Sequence, residues 1–228
     1  MNNLLLCLAI VIVFSLLTLT KKLFGKAGII GFMGIATIIA NIATCKSVTL
    51  LGMGATLGNA MFASNFLSTD ILTECYGKKE AKKGVFFAIF SIITFCLCTQ
   101  LMLLFTPNEF DIAQDSMRTL FGLMPRITLA SVSMFALSNI ADVRLYDWLR
   151  VKAKGRNMWL RNNVSTMLCN GLENFAFYAI AFLGVMGIDQ IIQAAMSTTI
   201  IEVLIAICDT PFLYLATRKE RKSNKAIA

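Results

Sequence analysis

The sequence contains no histidine, and only 15% of its 228 residues carry a charged side chain. Histidine is the commonest metal ligand and the usual proton carrier near neutral pH, so its absence removes a frequent component of metal centres and catalytic relays. The seven cysteines are scattered without any Cys-X-X-Cys spacing, which argues against a disulfide framework or a zinc site. A Walker phosphate-binding motif is also missing. We therefore expect no enzyme activity, no metal and no cofactor.

Apolar residues, by contrast, are abundant. Hydrophobic residues make up 57% of the chain and the mean hydropathy is +0.72, whereas a soluble domain carries about a quarter charged residues. Because one membrane crossing takes roughly 20 apolar residues, six or seven crossings would nearly exhaust the chain. The composition therefore predicts an all-α fold, a multi-pass transmembrane helix bundle.

Seven apolar segments are long enough to cross a bilayer. They are residues 4–20, 28–45, 48–69, 84–106, 122–142, 164–187 and 190–215. The first lacks the preceding positive charges and the cleavage site of a signal peptide, which predicts a retained span. The third contains Gly52, Gly54, Gly58 and Asn65, which predict a packed or partly irregular helix that must be shielded from lipid.

The basic residues predict the orientation of these spans. All but three of the 21 lysines and arginines (the exceptions are Lys46, Arg118 and Arg126) follow the first, third, fifth or seventh segment. Cytoplasmic loops are enriched in basic residues, so we expect a bacterial cell-membrane protein with its N-terminus outside and its C-terminus in the cytoplasm. This bias also explains the formal charge of +8 without any binding of nucleic acid.

Glu173 and Glu202 lie near the midpoints of the last two segments. A carboxylate at bilayer depth is costly, so it normally faces a protein interior or a wet cavity. Further polar or aromatic side chains follow one helical face in each of five segments. They are Thr37, Asn41 and Thr44; Asn59, Phe66 and Asp70; Ser131, Ser138, Asn139 and Asp142; Asn170, Asn174 and Phe177; and Thr198 and Asp209. These faces predict a shared polar pocket inside the bundle.

A pocket of this composition would suit a flat, purine-like ring. A carboxylate accepts from adjacent N–H groups, an amide both donates and accepts, and Phe66 and Phe177 could stack on the ring face. The alternative interpretation is structural. Asn, Ser and Thr often hydrogen-bond between membrane helices, and each glutamate could be a protonated carboxyl buried between them. Asp70 and Glu74 could equally cap and pair at the membrane boundary.

Several motifs resemble those of the queuosine precursor transporters, a vitamin uptake transporter family. They are residues 66–81 (FLSTDILTECYGKKEA), Pro125-Arg126-Ile127, Asp142-Val143, residues 159–166 (WLRNNVST) and Asp209-Thr210-Pro211-Phe212. The resemblance covers about residues 28–217 and implies an importer of 7-deazaguanine precursors of queuosine with a six-helix core. It divides the chain into an N-terminal transmembrane helix with its loop (1–27), that core (28–217) and a basic cytoplasmic tail (218–228).

The matching motifs imply substrate-binding roles for Asn65, Phe66, Arg126, Asp142 and Asp209. The sequence departs from its relatives on the predicted polar faces, most clearly where they commonly carry a lysine and this chain has Glu202. We hypothesise that the extra carboxylate favours a cationic substituent such as an aminomethyl group. The candidate substrate-binding residues are Asn65, Phe66, Asp70, Arg126, Asn139, Asp142, Asn170, Glu173, Asn174, Glu202 and Asp209.

The function expected from the sequence is thus import of a queuosine precursor, either a 7-deazaguanine base or queuine, bound at mid-membrane. One alternative is a substrate-binding membrane subunit that is energised by a separate ATP-driven module. Another is a carrier of a different purine-like vitamin or nutrient. The expected partners are the small molecule and the lipid bilayer, and the sequence leaves a homo-oligomer or an ATP-driven module open.

Overall fold

The computed structural model describes residues 1–134 and 171–227. Three described helical stretches have the length and hydropathy to cross a membrane: Asn2–Thr44, Lys78–Leu104 and Ile188–Ile205. The prediction of a helical membrane bundle is confirmed, with one short hairpin added. The elements in chain order are α1 (Asn2–Thr44), β1 (Ser47–Leu50), β2 (Met53–Thr56), α2 (Asn59–Tyr76), α3 (Lys78–Leu104), α4 (Gln114–Phe121), the described parts of α5 (124–134) and α6 (171–182), and α7 (Ile188–Ile227).

Helix α1 reverses direction at Gly25. This residue has φ 60° and ψ −140°, a conformation that glycine adopts far more readily than other residues. The Asn2 side chain donates a hydrogen bond of 3.1 Å to the carbonyl of Thr49, so the two ends of α1 lie close together. A straight helix of 43 residues would separate them by about 65 Å. The two halves of α1 are therefore antiparallel and correspond to the predicted first and second spans.

The predicted third span, 48–69, is not a single helix. Its first residues form the antiparallel β1–β2 hairpin, and the helix begins only at Asn59. The hairpin turn consists of Leu51 and Gly52, whose positive φ values of 52° and 81° match the twist that a two-residue hairpin needs. The expectation of a span-long helix was wrong here. Within the hairpin, Leu50 and Ala55 are each 1% exposed, whereas Leu51 at the turn is 44% exposed.

Glycines bring the helix backbones into close contact. A Cβ atom added at Gly34 of α1 would lie 2.6 Å from the Ser91 hydroxyl of α3. One added at Gly84 of α3 would lie 2.7 Å from the sulfur of Met33. Small residues at such crossings are typical of membrane bundles, where close backbone packing replaces the hydrophobic driving force.

Hydrogen bonds and an ion pair identify two ends of the bundle. At the first, which we term the basic end, Lys26 pairs with Glu80 at 3.1 Å and Lys21 donates to the carbonyl of Ala216. At the opposite end, the hairpin end, the Asn2 side chain contacts the hairpin and Cys45 lies 3.8 Å from the carbonyl of Leu120. The described lysines that follow the first and third predicted spans thus gather at one end, as the charge pattern predicts.

The apolar core forms two clusters. The first joins α1, the hairpin, α2, α3 and α7, with Phe14, Leu67 and Ile71 fully buried. The second joins α3, α5, α6 and the start of α7 around Ile127 and Tyr178. Elements from both clusters contribute side chains to a cavity that lies between them.

Candidate functional site

A cavity opens between the two apolar clusters, beside the base of the hairpin. The empty space between its walls is about 620 Å³ when the open solvent at its mouth is counted. Its walls come from α1, the hairpin, α2, α5, α6 and α7. Glu202, one of the lining residues, follows the first residue of α7 by 14 positions, or about 21 Å along the helix axis. For comparison, the hydrocarbon layer of a bilayer is about 30 Å thick.

Acidic and amide groups form one wall. Glu173, Asn174 and Glu202 all line the cavity, as the sequence predicts. The Asn174 amide donates to a carboxylate oxygen of Glu202 at 2.9 Å and to the Thr199 hydroxyl at 3.1 Å, so it joins α6 to α7. The lining residues that the structure describes include two carboxylates and no lysine or arginine. This wall therefore provides hydrogen-bond acceptors and, when the glutamates are ionised, negative charge.

A tyrosine hydroxyl stands at the centre of a second polar group. Tyr178 is 1% exposed, and its hydroxyl lies 2.6 Å from that of Thr56 in β2 and 2.8 Å from that of Thr198 in α7. The Asn59 amide of α2 also reaches Thr198, at 3.4 Å. All four residues line the cavity. One chain of hydrogen bonds thus connects the hairpin, α6, α7 and α2.

The rest of the lining carries a further amide and several rings. Ser131 of α5 donates to the side-chain oxygen of Asn41 in α1 at 3.0 Å, and both residues line the cavity. Phe62 and Phe66 of α2 meet edge to face with centroids 5.8 Å apart, and Phe177 faces the same space. Rings of this kind can pack against a flat ligand while the polar groups read its edge.

Three predicted site residues lie elsewhere in the structure. The Asn65 amide donates to the Thr37 hydroxyl at 2.9 Å, and Asp70 is an exposed residue of α2. Neither is among the residues that line the cavity. Arg126 donates to the carbonyls of Ile180 and Leu183 at 2.9 and 3.0 Å. Its guanidinium therefore satisfies the unpaired carbonyls at the C-terminal end of α6, which is a common role for a cation at that position.

Four further predicted residues have no described side chain. Asn139, Asp142 and Asn170 lie outside the described residues, and Asp209 belongs to α7 without a described side-chain position. Their roles stay predictions.

The sequence interpretation missed two members of the hydroxyl group. Tyr178 follows Asn174 by four residues, so helical spacing alone would have placed both on one face. Thr56 gave no such signal, because its position depends on a hairpin that was expected to be helix.

A family model matches most of the chain. The model described as "Putative vitamin uptake transporter" matches residues 56–216, well over half of the chain. The chain belongs to this family. It is accordingly a helical membrane transporter and not an enzyme, as the sequence predicts. The matched region of the chain begins at Thr56, so it includes most of the cavity wall, whereas Asn41 precedes it.

Two curated relatives carry related names. The chain is 37% identical over 209 residues to the "Probable queuosine precursor transporter" of Bacillus subtilis (strain 168), with 91% of each chain covered. It is 29% identical over 137 residues to the "Queuosine precursor transporter" of Escherichia coli (strain K12). This match covers 59% of this chain and 58% of the relative. No solved structure matches the chain significantly. The resemblance seen in the sequence motifs is therefore confirmed at the level of the family.

Proposed function

We propose that this transporter imports a queuosine precursor, a 7-deazaguanine base or queuine, and that it binds the base in the cavity beneath the hairpin. The observation that carries this proposal is the composition of one cavity wall, where Glu173, Asn174 and Glu202 stand together. The names of the two relatives support the same cargo.

The acidic wall complements the edge of such a base, and the aromatic rings complement its flat face. A guanine-like edge presents adjacent N–H donors, and a carboxylate accepts two such hydrogen bonds side by side. Phe62, Phe66 and Phe177 supply apolar surface for the flat face of the ring. The amides of Asn41 and Asn59 add groups that both donate and accept.

The charge of the cavity favours one kind of substituent. Among the described lining residues the charged groups are Glu173 and Glu202, with no basic residue to offset them. A cationic aminomethyl group gains from this field, whereas a neutral nitrile does not. We therefore expect the aminomethyl base to bind more tightly than the nitrile.

The bacterial cell membrane is the proposed location, with the basic end in the cytoplasm. The N-terminus and the hairpin end then face outward, as the distribution of lysine and arginine favours. Transport by this chain alone is the simplest mode. The sequence has no Walker motif, so any use of ATP would depend on a separate subunit.

The test is uptake in a bacterial host that can neither make nor import queuosine precursors. Cells that express the chain receive the nitrile base, the aminomethyl base or queuine separately, and queuosine in tRNA is measured. We expect rescue by at least one of them, and we expect the aminomethyl base to act at a lower concentration than the nitrile, by about tenfold for one additional charge-assisted contact.

Each outcome of this test is informative. Equal potency of the two bases would refute the charge argument but leave the cargo class intact. Failure of all three, with the protein present in the membrane, would refute the proposed cargo and favour a different purine-like nutrient. Uptake into liposomes that contain only the purified chain would exclude the need for an ATP-driven partner.

A further inference from the structure

The β1–β2 hairpin lies over the cavity on the hairpin-end side. Thr56, the last residue of β2, and Gly58, just before α2, both line the cavity. Irregular or extended backbone at membrane depth is tolerated where protein surrounds it or where it borders a wet space. The hairpin borders the cavity through Thr56, and its turn residues Leu51 and Gly52 are exposed, so it is placed where it can close the cavity.

The base of the hairpin is held firmly. A Cβ atom added at Gly58 would collide with the Thr44 hydroxyl and would lie 2.8 Å from the carbonyl of Ala40. The Leu57 amide also donates to the carbonyl of Lys46 at 3.2 Å. The end of α1 and the start of α2 therefore stay together and form a natural pivot.

The hairpin is attached to α6 and α7 by two side-chain hydrogen bonds. One joins Thr56 to Tyr178 at 2.6 Å, and the other runs from the Ser197 hydroxyl to the carbonyl of Gly54 at 2.6 Å. Tyr178 is also bonded to Thr198, and Ser197 to the carbonyl of Gln193 in its own helix at 2.8 Å. If the hairpin moved away, the Tyr178 and Ser197 hydroxyls would each keep one hydrogen-bond partner.

Helices α6 and α7 have a separate connection. Asn174 bonds to Thr199 and Glu202 without involving the hairpin. Release of the hairpin would thus expose the cavity while the acidic wall stayed in place. Motion of a small element over a fixed site is one way in which transporters gain access from one side at a time.

We propose that the β1–β2 hairpin is the gate at the hairpin end of the cavity and that Tyr178 is the positioning residue that latches it through Thr56. The proposal uses only the membership of a transporter family and the geometry of the site, so it does not depend on the cargo proposed above.

The test measures access to the cavity with a thiol reporter. The substitution Met134→Cys in the full-length chain places the reporter thiol in the cavity lining. Its reaction with a membrane-impermeant maleimide is followed by peptide mass spectrometry. Membrane vesicles of both orientations present the reagent to one end at a time. A separate Thr106→Cys variant, in the exposed loop that follows α3, identifies the vesicles whose hairpin end faces the reagent.

Thr56→Val and Tyr178→Phe each remove the latch hydrogen bond with little change in shape. We expect each to raise the labelling rate of the reporter thiol at position 134 about fivefold from the hairpin end, the effect of losing one hydrogen bond from the closed state. The double variant should match the single variants, because all three lack the same bond. Labelling from the basic end should not change.

The matched control is Thr99→Val. Thr99 is 3% exposed, and its hydroxyl bonds to the carbonyls of Phe95 and Cys96 within α3. Unchanged labelling in both latch variants would overturn the proposal. So would an equal increase in Thr99→Val, or an increase seen only from the basic end, since either would indicate general loosening of the bundle.

Discussion

Glu202 accepts a hydrogen bond from Asn174 and shares a cavity with Glu173, although both carboxyl groups lie on helices of a membrane bundle. A buried carboxyl group is expensive to keep in such a place unless it has a partner or a function. The bond to Asn174 offsets part of that expense for Glu202. A ligand with several N–H donors would interact with both carboxyl groups at once.

Substitution of each glutamate by glutamine tests this interpretation. Glu173→Gln and Glu202→Gln keep the shape of the side chain but remove its charge and half of its acceptor capacity. Because a hydrogen bond to a charged group contributes about 1.5–3 kcal/mol, we expect at least a tenfold loss of apparent affinity in the queuosine rescue assay.

The control for these variants is Glu109→Gln, an exposed residue in the loop between α3 and α4. It should leave rescue unchanged. If neither cavity variant altered uptake, the two carboxyl groups would have a purely structural role.

Chemistry and helical spacing predicted the positions of several side chains, although Asp70, chosen on the same grounds, is not among the residues that line the cavity. The substrate-binding roles stay predictions. Glu173, Asn174, Glu202 and Phe66 were chosen because polar or aromatic residues at helical spacing in an apolar run must face the interior, and all four line the cavity. Arg126 was chosen from a motif. The motif gives no information on direction, and the structure places its guanidinium on the end of α6.

Among the elements, the hairpin marks the limit of what the sequence could predict. Residues 47–57 contain no charge and read as the start of a span, because a short apolar run does not by itself distinguish a strand from a helix. The decisive contacts are tertiary, such as the bond from Ser197 to Gly54, which joins positions 143 residues apart. The reversal at Gly25 was easier to predict, because three lysines between two apolar runs separate the first two spans.

The pivot beside the hairpin gives a prediction at the scale of elements. Gly58→Ala adds a methyl group that would collide with the Thr44 hydroxyl, so α1 and α2 must move apart. Overpacking of this kind costs about 1–3 kcal/mol. We expect a lower midpoint of thermal unfolding for the detergent-purified protein, measured by tryptophan fluorescence.

Gly31→Ala is the matched comparison. Gly31 lies within α1, and a Cβ atom there meets nothing within 4 Å. Alanine should leave the midpoint unchanged or raise it slightly, because glycine is unfavourable inside a helix by about 0.5–1 kcal/mol. Equal midpoints for the two variants would show that the contact at Gly58 is not tight.

For the molecule as a whole, the two ends of the bundle differ in charge. Lys21, Lys26 and Lys83 gather at the basic end with Glu80 as a partner of the last two, and the acidic loop before α4 lies at the other. For the described lysines this polarity agrees with the sequence pattern, because loop charge alternates with each crossing whatever the details of packing. Which side of the membrane each end faces stays a proposal.

A reporter fused after Ala228 tests that orientation. Green fluorescent protein matures in the cytoplasm, whereas alkaline phosphatase is active only after export. We expect a fluorescent fusion with the first and an inactive fusion with the second. The reverse pattern would invert the bundle and place the hairpin on the cytoplasmic side.

The contact between the first residues and the hairpin has a practical consequence. Asn2 donates to Thr49, and the Asn3 side chain accepts from the Leu51 amide at 3.0 Å, so the extreme N-terminus supports the tip of the hairpin. An affinity tag joined to Met1 would crowd that tip and disturb the hairpin. Purification handles belong after α7, whose last turns are far from it.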